Sequence, residues 1–337
     1  MPQAGAFASR WTVEYSTVMR EVTARQSAYL NAWRGASAIV VVNAHTASTF
    51  DPDPLPIWGT FATAAVMVFF VISGFFISKS LERNRSGFVI ARANRLLPPF
   101  LFVMALTALL WMAAPYVFPS GTREFVIPTS RPSYSIDGWG WSLAFVGSLF
   151  GPTISANGPL WSLSFEVWYY VLAYLWVAVR RWLAALLLLP LAYFSYDFLE
   201  LGIVWLIGFA IGRLHSLDRL PRWPQWPFLV PALVAFPLML DGRIYNLWMV
   251  AAGLAFAAHL LWVLRREPRS PRWLASTSDW SYTLYILHMP LLLFLYGAFG
   301  GSFALPAFIA AIALAALIGP TLEHFRPFRR KAIEHPA

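Results

Sequence analysis

Cysteine is absent from the 337 residues, which removes disulfides, thiol nucleophiles, iron–sulfur clusters and cysteine-ligated zinc from consideration. Charge is nearly as scarce. Asp, Glu, Lys and Arg supply 12% of the chain against 58% hydrophobic residues, about half the charged fraction of an ordinary soluble domain. With a mean hydropathy of +0.58, the chain reads as an all-α polytopic membrane protein. No extramembrane stretch is long enough for a second folded domain, and no repeat of fixed period stands out. Residues 1–27 lack the apolar core and cleavage site of a secretory signal and look like a cytoplasmic or interfacial amphipathic segment. The formal charge of +9 is no argument for nucleic acid in so apolar a chain, because the placement of Lys and Arg among loops matters more than their sum.

Apolar stretches long enough for a hydrocarbon core of about 30 Å give about ten transmembrane helices, near 29–50, 59–79, 96–118, 159–179, 182–197, 199–214, 226–241, 245–264, 280–299 and 303–323. The stretch 139–151, GWGWSLAFVGSLF, is apolar but short and framed by Gly and Pro, so it reads as re-entrant or interfacial. With ten spans both termini share a side. Every Lys and Arg except Arg123, Arg131 and Arg243 then falls on that side, and the positive-inside rule makes it the cytoplasm. The chain divides into an N-terminal segment (1–28), a single transmembrane domain (29–325) and a basic tail (326–337). The outer loop 119–158, rich in proline, is placed to cap a cavity mouth.

An ionisable side chain at the bilayer centre costs about 2.5–3.5 kcal/mol on insertion scales, so each one is a candidate for function. Arg34 and His45 stand eleven residues apart, which brings them to one face of a helix with roughly 16 Å of rise between them. A histidine bonded to a neighbouring helix would explain His45 without chemistry, and topology alone would place Arg34. In FFVISGFFIS (69–78), Ser73 and Gly74 let a helix or a ligand approach the backbone closely. In ARANRLLPPF (91–100), Arg92 and Arg95 share a face suited to phosphate, and Pro98 with Pro99 is expected to break or bend the helix there. Lipid headgroups and topology are the competing explanations for the two arginines.

Glu166, in NGPLWSLSFEVWYY (157–170), is the one acidic residue placed deep inside a span rather than at its end. A buried carboxylate needs a partner, and His45 at comparable depth is the natural one; a bond to serine or backbone is the bland alternative. Ser281, Tyr285 and His288 share a face in SDWSYTLYILHMPLLLF (278–294). Pro290 frees a carbonyl one turn back, so local backbone bonding explains His288 better than catalysis does. His259 reads as structural, and His215, His324 and His335 lie at cytoplasmic ends where no burial is implied.

Taken together, LNAWRGASAIVVVNAH (30–45), FFVISGFFIS (69–78), RANRLLPP (92–99), WSLSFE (161–166) and SYTLYILHMP (281–290) resemble, in order and over most of the chain, the acyltransferase-3 family of integral membrane acyltransferases. The Arg-x10-His spacing of that family is met by Arg34 and His45. The resemblance implies a multi-pass protein of the bacterial plasma (inner) membrane. Its reaction would move an acyl group, commonly acetyl from acetyl-CoA, to a hydroxyl of an extracytoplasmic glycan or glycosylated small molecule. No permanently bound cofactor and no metal are implied. On this reading Arg34, Ser73, Gly74, Arg92 and Arg95 bind the acyl-CoA, His45 is the general base oriented by Glu166, and Trp161, Ser162, Tyr285 and His288 contact the acceptor; the family's alternative is an acyl-histidine intermediate. The chain departs in carrying Asn31 where an acid is frequent and in having no appended hydrolase-like domain. A proton-coupled transporter or flippase would use the same buried His, Arg and Glu, and a membrane scaffold would need none of them aligned from both faces.

Overall fold

A computed structural model describes residues 20–328 apart from 52, 56, 126–133, 223–226, 228 and 241–244. Arg10, Arg131, Arg243, Arg329, Arg330, Lys331 and His335, with most of the N-terminal segment and of the basic tail, lie outside the described residues. The described chain is all-helical: α1 (Ala24–Phe50), α2 (Ile57–Arg83), α3 (Phe88–Val117), α4 (Trp139–Leu143), α5 (Leu160–Tyr174), α6 (Arg181–Phe194), α7 (Tyr196–Ser216), α8 (Leu229–Leu240), α9 (Tyr245–Arg266), α10 (Arg272–Ser276), α11 (Ser281–Phe299) and α12 (Ala304–His324). A π-helical turn, Leu175–Val179, continues α5.

Each of the ten expected spans has its helix, but among the described residues seven are long and apolar enough to cross a membrane. The other three fall short for different reasons. α6 and α8 are short. α1 has 27 residues but carries Arg34, Asn43, His45 and a run of Ser and Thr that lower its hydropathy. It can be this polar because protein surrounds it: α1 packs on α2, α10, α11 and α12. The segment 139–151 does not form a spanning helix. It makes α4 and a set of turns, with the Phe145 ring 4.5 Å from that of Phe100 and the Phe145 carbonyl accepting from Trp168 Nε1 at 3.0 Å.

Two helix boundaries differ from the expectation in ways that matter for the site. α1 starts at Ala24 because Thr23 and Gln26 form a reciprocal capping box, two end donors satisfied by each other's side chains. Gln26 also donates to the Leu264 carbonyl at 2.8 Å, tying that end to α9. α3 does not break at Pro98 and Pro99; it runs from Phe88 to Val117 through both. Contacts with the rest of the chain hold the turn before the prolines. Tyr282 donates to the Leu96 carbonyl at 3.3 Å, and the Asn94 amide clamps both backbone groups of Phe328 at 2.9 Å. Arg92 and Arg95 therefore sit inside a continuous helix, three residues apart on one face.

The most extensive helix pair is α2 with α7. A Cβ on Gly74 would overlap the Trp205 carbonyl oxygen, and one on Gly208 would overlap that of Val71. Glycine here lets two backbones touch. The same close approach draws in the end of α7. His215, expected at an unburied end, is fully buried with its ring 6.0 Å from that of Phe75.

Candidate active site

A cavity of about 530 Å³ opens between α1, α2, α3, α5 and α11. One end is basic. Arg34 from α1 and Arg92 and Arg95 from α3 line it, and Arg92 and Arg95 also line a second cavity of about 380 Å³ with Arg326. Arg92 Nε is buried without a hydrogen-bond partner. Arg95 lies 3.6 Å from Glu323, and Arg34 makes no hydrogen bond to another described residue. At the rim Lys79 is committed elsewhere, donating to the Arg20 carbonyl at 2.9 Å and to Ser216 at 2.5 Å, while Glu82 pairs with Arg213 at 2.8 Å.

Glu166 lines the middle of the cavity and accepts a 2.5 Å hydrogen bond from the Tyr170 hydroxyl one turn along α5. The Tyr170 oxygen lies 3.1 Å from Ser73 Oγ, which in turn accepts from Trp205 Nε1 at 3.2 Å. Because Tyr170 donates its proton to the carboxylate, Ser73 must donate to Tyr170, so the whole chain of donors points at Glu166. The expected bond from Glu166 to His45 is absent among the described residues. The carboxylate faces the basic end instead, within electrostatic reach of both Arg34 and Arg92. Gly74 likewise does not line the cavity. It faces α7, and ligand approach is left to Ser73.

Away from the arginines the cavity is walled by Ser162 and Tyr285, whose hydroxyls are 2.7 Å apart. Tyr285 donates to the Pro159 carbonyl at 3.1 Å and meets the Phe69 ring edge-on at 5.6 Å. Behind this wall are the two imidazoles: His288 has its ring 6.0 Å from that of Tyr285 and 5.2 Å from that of His45. The lining stops at Tyr285 and Ser162 and does not include His45. Trp161 is also outside it, packed on Phe70 and Phe165 at 6.4 and 5.5 Å.

His288 does bond local backbone, though not at the carbonyl that Pro290 frees. Pro290 removes the donor for the Ile286 carbonyl, and the replacement at 2.8 Å is Asn157 Nδ2. Tyr134 secures the next turn by donating to the Pro290 carbonyl at 3.0 Å; burial pushes its hydroxyl well above the ordinary phenol range, which keeps it a donor. His288 Nδ1 instead bonds the carbonyl of Leu284 at 3.2 Å.

Against known proteins, a family profile described as "Acyltransferase domain" matches residues 27–322, nearly the whole chain. The chain belongs to the acyltransferase-3 family. No curated protein and no solved structure matches it. Membership, with the apolar helices, makes the chain an integral multi-pass membrane protein and an acyltransferase. The matched region begins beside the capping box of α1 and ends at α12, so it takes in every helix that lines the cavity.

Among the described residues, a further charged side chain buried in the bundle is not singled out by the pattern of apolar spans. Glu323 stands at a helix end in the sequence, yet it is 1% exposed and accepts from the Thr283 backbone N–H at 2.9 Å and its hydroxyl at 3.1 Å. It joins α12 to α11 and holds Arg95. Its one sign in the sequence is an acid at the end of the last apolar run, among basic neighbours. Tyr170 and Tyr282, which also line the cavity, carry no signal separable from ordinary aromatic packing.

Proposed function

We propose that this acyltransferase moves an acyl group, acetyl in the simplest case, from acyl-CoA bound at the basic end of the cavity to a hydroxyl of an extracytoplasmic carbohydrate or glycosylated small molecule. The observation that carries the reading is the cavity itself, which runs from Arg34, Arg92 and Arg95 to the Ser162–Tyr285 wall, with the rings of His288 and His45 next to one another behind it. Three guanidinium groups facing the carboxylates of Glu166 and Glu323 leave cationic capacity for the phosphates of the donor. An extended thiol-bearing arm has roughly 16 Å to cover between the levels of Arg34 and His45. Tyr285 must swing aside for the thioester to meet His45.

In the reaction, the acceptor oxygen attacks the thioester carbonyl, His45 takes the hydroxyl proton, and the C–S bond breaks to release the CoA thiolate, which recovers that proton. Glu166 serves the donor half of the cavity, organising Tyr170 and Ser73 rather than the base. The basic mouth faces the cytoplasm of a bacterial plasma membrane, and both termini lie on that side.

The test is acetyl transfer from radiolabelled acetyl-CoA in proteoliposomes. Wild type acetylates a hydroxylated glycan acceptor. His45→Ala loses transfer by at least about 100-fold, within the usual contribution of a positioned base, while binding CoA within about twofold. Substrate movement across the vesicle without consumption of acetyl-CoA would instead make the protein a carrier.

A further inference from the structure

We infer that His288 positions the catalytic imidazole, accepting a hydrogen bond from His45 and filling the place the sequence suggested for Glu166. The inference rests on His45 being the base and names the residue that orients it.

The tautomer of His288 follows from its partner. Its Nδ1 lies 3.2 Å from the Leu284 carbonyl oxygen, and a carbonyl only accepts, so Nδ1 carries the proton. In the neutral ring Nε2 then bears a lone pair and can only accept. That atom is buried without a partner in a residue of 0% exposure. A bare buried acceptor is costly, so a donor that can reach it will be held there.

His45 is that donor. Its ring centre is 5.2 Å from that of His288, with the planes tilted by 34°. A linear N–H···N bond of about 2.9 Å, with about 1.1 Å from each nitrogen to its ring centre, spans about 5.1 Å, close to that separation. The rings stand at bonding separation and lack only alignment. Rotation of the His45 ring about its Cβ–Cγ bond supplies it, along a torsion with broad minima. His45 makes no competing side-chain hydrogen bond among the described residues, and the Tyr285 hydroxyl already serves Pro159 and Ser162.

Once His45 donates from one nitrogen, its other nitrogen is bare and faces the incoming hydroxyl. When it takes the acceptor's proton, the imidazolium keeps its bond to a neutral imidazole. No carboxylate has to be buried beside it. Asn157 and Tyr134 brace the proline turn of α11 that carries His288, which holds the acceptor nitrogen in place.

The deciding measurement on wild-type protein in nanodiscs is nitrogen NMR of labelled histidine. The expected spectrum of His288 shows a protonated Nδ1 and a bare Nε2 that shifts when His45 is replaced by Ala. Kinetics supplies the second arm. His288→Asn keeps a group near Nδ1 but removes the Nε2 acceptor, and lowers kcat about 100-fold with KM for acetyl-CoA within about twofold. His288→Gln returns an acceptor oxygen near the Nε2 position and recovers at least a tenth of the rate. A protonated Nε2 on His288, or wild-type kcat in the Asn variant, overturns the assignment. If wild type transfers no acyl group at all, the functional reading falls while the tautomer remains readable.

Discussion

Arg92 and Arg95 are three residues apart in sequence but do not stand alike in the fold. Both have a buried nitrogen without a hydrogen-bond partner among the described residues, Arg92 Nε and Arg95 Nη2, but Arg95 is partly neutralised by Glu323 at 3.6 Å, whereas no carboxylate pairs with Arg92 among those residues. Charge-assisted hydrogen bonds contribute about 1.5–3 kcal/mol each, so Arg92→Ala should weaken CoA binding roughly tenfold to 100-fold and Arg95→Ala by less. Equilibrium binding of radiolabelled CoA reads both, and equal affinities in the single variants and wild type would remove the phosphate role. These residues, with Arg34, His45, Ser73, Ser162, Tyr285 and His288, are legible in the sequence because polar groups in apolar spans are expensive and so conspicuous. The expected pairing of Glu166 with His45 fails because position along a helix reports depth but not the direction in which a neighbouring helix turns its side chains. Tyr170, at i+4 on the same face as Glu166, is the nearer donor.

Among the helices, α2 and α7 show how packing overrides a tempting ligand interpretation. The small-residue gap at Ser73 and Gly74 is divided between two uses: the serine faces the cavity, and the glycine faces the α7 backbone. Gly74→Leu forces the helices apart, and overpacking of this kind costs about 1–3 kcal/mol. It should lower the thermal midpoint of the detergent-solubilised protein by several degrees. Gly59 is the control, since a Cβ there would meet nothing within 4 Å, and its change to Ala should move the midpoint by less than about a degree. An unchanged midpoint for Gly74→Leu would mean that the helices are not in backbone contact. α3 carries the related lesson that a Pro-Pro pair need not end a helix, since Phe88–Val117 runs unbroken through Pro98 and Pro99. The start of α1 is legible by contrast, because a capping box is local chemistry.

For the molecule as a whole, the lack of cysteine makes topology directly measurable, since one introduced thiol is then unique. Ser86 in the α2–α3 loop and Ser120 after α3 are both exposed. With the basic ends cytoplasmic, a membrane-impermeant maleimide added to intact cells should label Ser120→Cys at once and Ser86→Cys only after permeabilisation; the reverse pattern would invert the orientation. Composition and hydropathy alone determined the helical membrane class, the approximate positions of the helices and the inventory of buried polar residues, because transfer from water to hydrocarbon acts residue by residue. Only the tertiary structure decided which polar groups meet. It sent Glu166 toward the arginines, set His288 against His45 and recruited Glu323 from the far end of the chain, because contacts between helices depend on their relative rotation and on how closely glycine lets their backbones approach.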